Sequence, residues 1–143
     1  MSSNRSVLRF DKYIVKSISF QANEKCYCMD DQVELDFDFD IRSSIEENKL
    51  IIELSSIIFP NAVTQNYPFE MEVVLKGFFS IDSADNNVDI SFFKTNAVAI
   101  LFPYLRAIVS SYTANANIAP VILPAMNINE YIRKKYQNVK KQA

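Results

Sequence analysis

Apolar and acidic residues alternate without a break in "VELDFDFDI", residues 33–41. A period of two is typical of a β-strand with one buried face and one solvated face. The segment is therefore predicted to be a strand lying on a hydrophobic core. Its core-facing residues would be Val33, Leu35, Phe37, Phe39 and Ile41, and its water-facing residues Glu34, Asp36, Asp38 and Asp40.

Three more segments have strand patterns: "LRFDKYIVKSISF", "KLIIELSSIIF" and "FEMEVVLKGFFSI". In the first segment, Ile14, Ile18 and Phe20 are predicted to share one face. The third contains the only glycine of the chain, Gly77, where a bulge or a close backbone approach is expected. Because turn residues and short connections separate the segments, we predict a twisted, antiparallel four-stranded meander.

The spacing changes to intervals of three and four from about Ser91, which predicts a long helix. Pro103 should kink this helix or start a new one. The helix is apolar nearly all round, so one sheet cannot cover it, and a second copy of the chain is expected to cover the rest. The residues predicted for that oligomer interface are Val98, Leu101, Leu105, Ile108 and Tyr112.

After this helix, "NIAPVILPAM" is expected to be extended because residues before proline avoid the α region. A short last helix is predicted over about 127–137. Helices that follow strands, rather than alternating with them, indicate an α+β fold. We expect the 143 residues to form one domain, with flexible ends at 1–8 and 138–143.

Composition restricts the possible functions. The chain has no histidine, which excludes Ser-His and Cys-His nucleophile pairs and ordinary His zinc sites. We therefore predict that the protein is not an enzyme and binds no metal. Net charge is −2, and the basic residues near the C-terminus are expected to be a solvated helix end, without nucleic-acid binding.

The acidic alternation suggests two other functions. In "DFDFDIRSSIEE" the carboxylates have the spacing of an EF-hand loop, but Ile41 stands where that loop requires glycine. Asp36 and Asp38 would lie about 6.6–6.8 Å apart on one strand face, a separation that suits a carboxylate pair of a hydrolase. A solvated strand face is the favoured interpretation of both patterns.

Cys26 and Cys28 are expected to be reduced thiols, because their spacing suits neither a zinc site nor a disulfide bond between them. The N-terminus has no apolar signal region, and the apolar run "AVAILFPYL" is too short to span a bilayer. These features predict a soluble cytoplasmic protein without membrane insertion.

The segment "NAVAILFPYLRAIVSSYTANANIAPVILPAMNINEYI", residues 96–132, resembles the signature half of the SecB family of protein-export chaperones. The ordered set is an "ILFPY" motif followed by Arg106 in an apolar helix, a proline loop with "APV", and a closing helix. Earlier segments, "KSISFQA", "VELDFDFDI" and "EMEVVLKGFFSI", resemble strands of the same family.

The resemblance implies a dimer of dimers, with sheets outside and long helices between them. It also implies a chaperone that holds unfolded polypeptides in hydrophobic grooves and needs no ATP, metal or other cofactor. Flexible and aromatic walls would tolerate many client sequences. The residues expected to line the groove are Phe59, Phe69, Phe79, Ile122, Leu123, Met126 and Tyr131.

Export members of the family offer carboxylates to the motor ATPase SecA on the first and fourth strands. In this chain the matching positions are the neutral Ser17 and Gln21, with Glu70 and Glu72 still acidic. The resemblance therefore supports chaperone activity better than SecA docking. Family members also hold antitoxins of toxin-antitoxin pairs, and an antitoxin client stays open. The alternative is an oligomeric scaffold protein that has this fold without general client binding.

Overall fold

The computed structural model describes residues 7–27, 33–82 and 90–142. The strands are β1 Val7–Ala22, β2 Phe37–Glu46, β3 Lys49–Ile58 and β4 Phe69–Asp82, and the helices are α1 Ala62–Gln65, α2 Ile90–Asn115 and α3 Ile128–Gln142. The four strands form one antiparallel sheet, and the long helix and the C-terminal helix follow it. The predicted α+β class is confirmed.

The strand order is β1-β4-β3-β2, so the sheet is not the simple meander that the sequence suggested. Strands β2, β3 and β4 are consecutive neighbours, but β1 joins the far side of β4 through a crossover that starts at Asn23. The fourteen-residue β4 offers a second edge that matches the sixteen-residue β1, with pairing from Val7↔Asp82 to Ala22↔Phe69.

Two register shifts in β1 change which of its residues face the core. They lie between Phe10 and Lys12 and between Val15 and Ser17. Each extra residue inverts the alternation of the strand. As a result Ile18 and Phe20 face inward, but Ile14 lies opposite Lys76 on the outer face, contrary to the prediction.

Several predicted boundaries also move. The segment 42–46 belongs to β2, and Glu47 and Asn48 alone form the turn to β3, with Glu47 at φ 55°. Val7 and Leu8 belong to β1 instead of a flexible end. At the other end α3 continues to Gln142, beyond the predicted end at 137.

Helix α2 lies on the inner face of the sheet and runs unbroken through Pro103. Its buried residues are Phe93, Ala97, Val98, Leu101, Phe102, Leu105, Val109 and Thr113. By length and composition alone the whole helix would suffice to cross a membrane, although 39% of its most apolar window is buried within the chain. A core helix of a folded domain meets the same criteria.

Gly77 makes the close contact between β4 and α2. A Cβ atom at this position would lie 2.7 Å from both methyl carbons of Leu101. The pairing of β4 is continuous through Gly77 on both sides, so this glycine serves a close approach and not a bulge.

The cysteine prediction is wrong for Cys26, which is disulfide-bonded. The other cysteine, Cys28, lies outside the described residues. The expectation of a reducing compartment therefore loses the support that it drew from free thiols.

Gly77→Ala is expected to lower the free energy of unfolding by about 1–3 kcal/mol, because the added methyl group overlaps the buried Leu101 side chain. Urea unfolding measures the change. Leu101→Ala alone should cost about 2–5 kcal/mol, and the double variant should be at least about 1 kcal/mol more stable than the sum of the two changes predicts. Additive effects would contradict the proposed contact.

Candidate functional site

A groove of about 710 Å³ opens between the sheet end and the loop that connects α2 to α3. One wall comes from the crossover and the sheet end, and the other from the proline-containing loop. Its lining is largely apolar and includes Val33, Leu35, Phe59, Pro68, Phe69, Ala114, Ile118, Pro120, Val121 and Ile122, together with Asn23 and Asn117. We call this cavity the apolar groove.

The loop wall is held by polar side chains of α2. Arg106 Nε donates a 3.0 Å hydrogen bond to the carbonyl of Leu123, and Ser110 Oγ donates one of 2.9 Å to the carbonyl of Val121. The Val121 N–H donates to Thr113 Oγ1 at 2.8 Å. These bonds satisfy backbone groups that an extended segment cannot pair by itself.

These anchors were not among the residues predicted from the sequence. A signal was present, because positions 106, 110 and 113 are polar residues at i, i+4 and i+7 on an otherwise apolar helix. Such spacing places them on one helix face. Burial of these polar side chains is favourable only if they find hydrogen-bond partners, such as the backbone of the neighbouring loop.

The other wall begins at Asn23, whose side-chain amide donates to the carbonyls of Ala62 and Tyr67 at 3.2 and 2.9 Å. Phe59 forms the floor with its backbone at φ 55°, a conformation that bulky residues rarely adopt. It is kept there by its N–H, which donates to the carbonyl of Asp36 at 2.8 Å, and by ring contacts with Tyr67 and Phe69 at 4.8 and 5.1 Å.

The structure brings three of the predicted groove residues together at this cavity. Phe59 and Phe69 lie buried at its floor, and Ile122 stands at its rim with 71% of its surface exposed. Since most of the Ile122 side chain is left uncovered by its own chain, Ile122 is the lining residue best placed to meet a ligand.

The other four predicted groove residues lie elsewhere. Leu123 points into the core and is fully buried, and Met126 lines a separate depression beside Pro103. Phe79 is fully buried and follows Phe69 by ten residues on β4, which places it about 33 Å away. Tyr131 packs against the rings of Phe37 and Phe39 instead.

Two of the predicted docking residues, Gln21 and Glu70, lie opposite each other on the outer face of the sheet. Glu70 is already engaged, because its Oε1 accepts the N–H of Asn61 at 2.6 Å and caps the start of α1. Ser17 lies opposite Val74 on the same face, and Glu72 is exposed.

The predicted oligomer-interface residues divide between two faces of α2. Val98, Leu101 and Leu105 are fully buried under the sheet of their own chain, so they cannot contact a second copy. Ile108 is half-buried and Tyr112 is 38% exposed. The spacing correctly predicted a helix, but the residues that it selected lie mainly on the face of α2 that packs on the sheet.

The open edge of β2 is covered by its own carboxylates and by α3. Asp38 and Asp40 accept hydrogen bonds from the N–H groups of the residues that follow them, at 2.9 and 3.0 Å. Lys135 Nζ donates to the carbonyl of Phe39 at 2.9 Å and forms an ion pair with Asp38 at 2.8 Å. These contacts occupy the edge backbone at Phe39 and Ile41, which blocks another strand from pairing with this part of β2.

Tyrosine hydroxyls complete this arrangement. Asp36 accepts from Tyr67, Asp38 from Tyr131, and Asp40 from Tyr136. The acidic row is therefore not only a solvated face, as the sequence suggested, because each carboxylate has a defined donor. A strand over Phe37–Glu46 is also incompatible with an EF-hand loop.

The pKa shifts follow from these contacts. Partial burial opposes ionisation of Asp38, but the hydrogen bonds from Lys135 and Tyr131 outweigh it and lower the pKa of this carboxyl. Burial, together with the hydrogen bond to Asp38, raises the pKa of Tyr131 to about 12. A lowered pKa is the opposite of what a general acid needs, which argues against a hydrolase that uses Asp36 and Asp38.

Within residues 7–27, 33–82 and 90–142, no group of three or more Cys, Asp or Glu side chains has the arrangement of a metal site. The apolar groove is a cavity of this part of the chain that could hold a polypeptide ligand. Its chemistry suits an extended apolar segment, since its walls combine aliphatic and aromatic side chains with two amides.

Comparison with known proteins agrees with this architecture. A family described as preprotein translocase subunit SecB matches residues 2–139. An uncharacterized protein of Methanocaldococcus jannaschii is 38% identical over 128 residues, which cover 87% of this chain and 81% of that protein. The protein-export protein SecB of Rickettsia akari is 28% identical over 105 residues, covering 73% of this chain and 68% of the relative.

Among solved structures, a SecB-like chaperone of Mycobacterium tuberculosis, in complex with a ChAD peptide from an antitoxin, has a similar fold. The TM-score is 0.65 at 12% identity, and the match covers 83% of this chain and 87% of that one. At this identity the likeness shows the fold alone.

Acid is expected to loosen α3 through Asp38. Because the folded-state pKa lies below the ordinary value of 3.8, the stabilisation is present above that pH and is lost as pH falls through the folded-state pKa. Asp38→Asn should lower the free energy of unfolding by about 1 kcal/mol at neutral pH, a value reduced for screening because the side chain is 42% exposed.

Thermal unfolding between neutral pH and pH 3 measures this effect. The melting temperature of Asp38→Asn should fall less between neutral pH and pH 3 than that of the unmodified chain. Asp82→Asn is the matched control, since the exposed Arg9–Asp82 pair spans 3.9 Å and should contribute little. Equal acid sensitivity in all three proteins would refute the role of Asp38.

Proposed function

The chain belongs to the SecB family, and we propose on that premise that it is an ATP-independent chaperone, a holdase that binds unfolded polypeptides in the apolar groove. The family and the fold support a chaperone role. The observation that carries the proposal is a groove of about 710 Å³ with apolar walls and the exposed Ile122 at its rim. Binding there would be favourable for an unfolded client, because its apolar side chains would move out of water into the groove.

The walls suit a range of clients. Phe59 and Phe69 provide a rigid aromatic floor, while the opposite wall is a loop with two prolines that is attached through the side chains of Arg106, Ser110 and Thr113. Contacts through side chains, without a fixed hydrogen-bond pattern for the client, permit many sequences. No cofactor is needed for such binding, and the proposed location is the cytosol, as for the family.

A dedicated client, such as an antitoxin, is the second candidate, and the sheet face favours it over SecA-dependent export. Ser17 and Gln21 carry no charge, and Glu70 caps α1, which leaves Glu72 as the free carboxylate among the four docking positions. Docking that is steered by charge would be weak with one such group. A scaffold protein without general client binding is the alternative if unfolded chains do not bind.

We also propose that the active form is a homotetramer, a dimer of dimers. In the described part of the chain β1 pairs only with β4, so a sixteen-residue strand edge stays open for a second β1. The outer side of α2 exposes Ala99, Pro103 and Ala107, small or flat residues that allow another helix to approach closely. Sheets would then form the outer layers and helices the centre.

Ile122→Ser is expected to weaken suppression of aggregation, because it removes the apolar side chain at the groove rim. With a slowly folding, unrelated protein as client, light scattering should show that at least about threefold more chaperone is needed for equal suppression. Val63→Ser is the matched control, since Val63 is 70% exposed and lies outside the groove. The holdase proposal fails if the unmodified chain suppresses no aggregation, and the groove assignment fails if both variants behave alike.

Ala107→Glu should dissociate the tetramer, because it places a charge on the helix face that would be buried between copies. Light scattering coupled to size-exclusion chromatography would show a mass of one half or less of the original. Ser44→Glu, at an exposed position on β2, the strand at the opposite edge of the sheet from β1, is the control and should leave the mass unchanged. A tetramer that persists in the Ala107→Glu variant would exclude this face from the interface.

A further inference from the structure

The outer face of the sheet, on the side away from α2, carries an aromatic ring between two ammonium groups. Phe78 lies on this face, with Lys12 of β1 and Ile51 of β3 as its cross-strand neighbours. The Nζ atoms of Lys12 and Lys76 lie 5.2 and 5.7 Å from the centroid of the Phe78 ring. A partly exposed phenylalanine at the centre of a solvated sheet face has no role in the core.

The two lysines differ from their basic neighbours in their pairing. Lys16 forms an ion pair with Glu53, and Arg9 forms one with Asp82. Within the described residues, Lys12 and Lys76 form no ion pair of this kind. Lys76 lies across from Glu53, but the ammonium group of Lys16 already binds that carboxylate and is the main cause of its lowered pKa.

The apolar part of this surface extends beyond the ring. Ile14 is 44% exposed and lies beside Lys76, on the outer face because of the register shift in β1. A depression of about 480 Å³ begins at Phe78 and Ile51 and continues to the β2–β3 turn, where Glu46 and Glu47 also line it. We call the set Lys12, Ile14, Ile51, Lys76 and Phe78 the Phe78 surface.

We propose that the Phe78 surface binds an acidic segment of a partner polypeptide that carries a large apolar side chain. The two lysines would pair with carboxylates, and the apolar residue would enter the depression beside Phe78. Charge complementarity supports this choice, because two lysines that form no ion pair within the described chain flank an aromatic ring on this sheet face. The surface is independent of the apolar groove, which lies at the sheet end and the α2–α3 loop.

A single-stranded nucleic acid suits the surface less well. Base stacking on a sheet requires several aromatic platforms along a continuous basic track. The Phe78 surface provides one ring, and Glu53, Glu72 and Asp82 share the same sheet face. A phosphate backbone that continues past the lysine pair would meet these carboxylates, whereas the acidic groups of a short peptide can be confined to the lysine pair.

The test is fluorescence anisotropy with a short labelled peptide in which Asp and Glu residues flank a central Leu-Phe pair. The unmodified chain should bind this peptide, and added salt should weaken binding because the charges are exposed. Lys12→Gln with Lys76→Gln should weaken binding about tenfold, as expected for two exposed charge pairs. Phe78→Thr should have a similar effect while keeping a β-forming residue in the strand.

Lys25→Gln with Arg133→Gln is the matched control, because it removes the same charge from exposed positions away from this face and should leave affinity within about twofold. A peptide with Lys in place of the acidic residues should not bind. This reversed peptide and the salt dependence are measured on the unmodified chain, so they decide the question even if a variant misfolds.

Several results would overturn the proposal: no binding of the acidic peptide, equal binding by the lysine variant, or tighter binding of single-stranded RNA. Displacement of the peptide by an unfolded client would place it in the apolar groove and would also overturn it. The variant with Lys12→Gln and Lys76→Gln should suppress aggregation as effectively as the unmodified chain does. A chain that binds the peptide but suppresses no aggregation would refute the holdase function and leave the Phe78 surface standing.

Discussion

The position of α2 on the sheet depends on the absence of a side chain at Gly77. Because the Leu101 methyl groups occupy the space that a Cβ atom would fill, the helix approaches β4 more closely here than an alanine would allow. This contact sets the distance between β4 and the helix at this point. The polar residues further along it, Arg106, Ser110 and Thr113, then reach the α2–α3 loop and hold it as one wall of the apolar groove.

Local patterns in the sequence predicted the elements well because each pattern reports one physical preference. Alternation identified the face of β2 that carries Phe39, and spacing of three and four identified α2. What they could not predict is which strands pair. The position of β1 beside β4 depends on contacts between residues more than forty positions apart. Ile14 lies between the two register shifts of β1 and therefore faces the opposite side from Ile18.

The candidate site was predictable only in part, for a related reason. Phe59, Phe69 and Ile122 were identified as large apolar residues near a loop or strand end, and they line the groove. Leu123 satisfies the same description but points into the core, since hydrophobicity does not distinguish the floor of a cavity from the interior of a domain. The polar anchors on α2 carried a readable spacing, but their partners are backbone atoms, which have no sequence signature.

The covered part of the β2 edge, at Phe39 and Ile41, has a consequence for any other chain that approaches it. An open strand edge would let a bound chain add itself as a further strand, and a β-structured chain is a template for more of its kind. Here Asp38 and Asp40 occupy the N–H groups, and Lys135 occupies a carbonyl. At Phe39 and Ile41 another chain can therefore contact side chains but cannot extend the sheet by a strand.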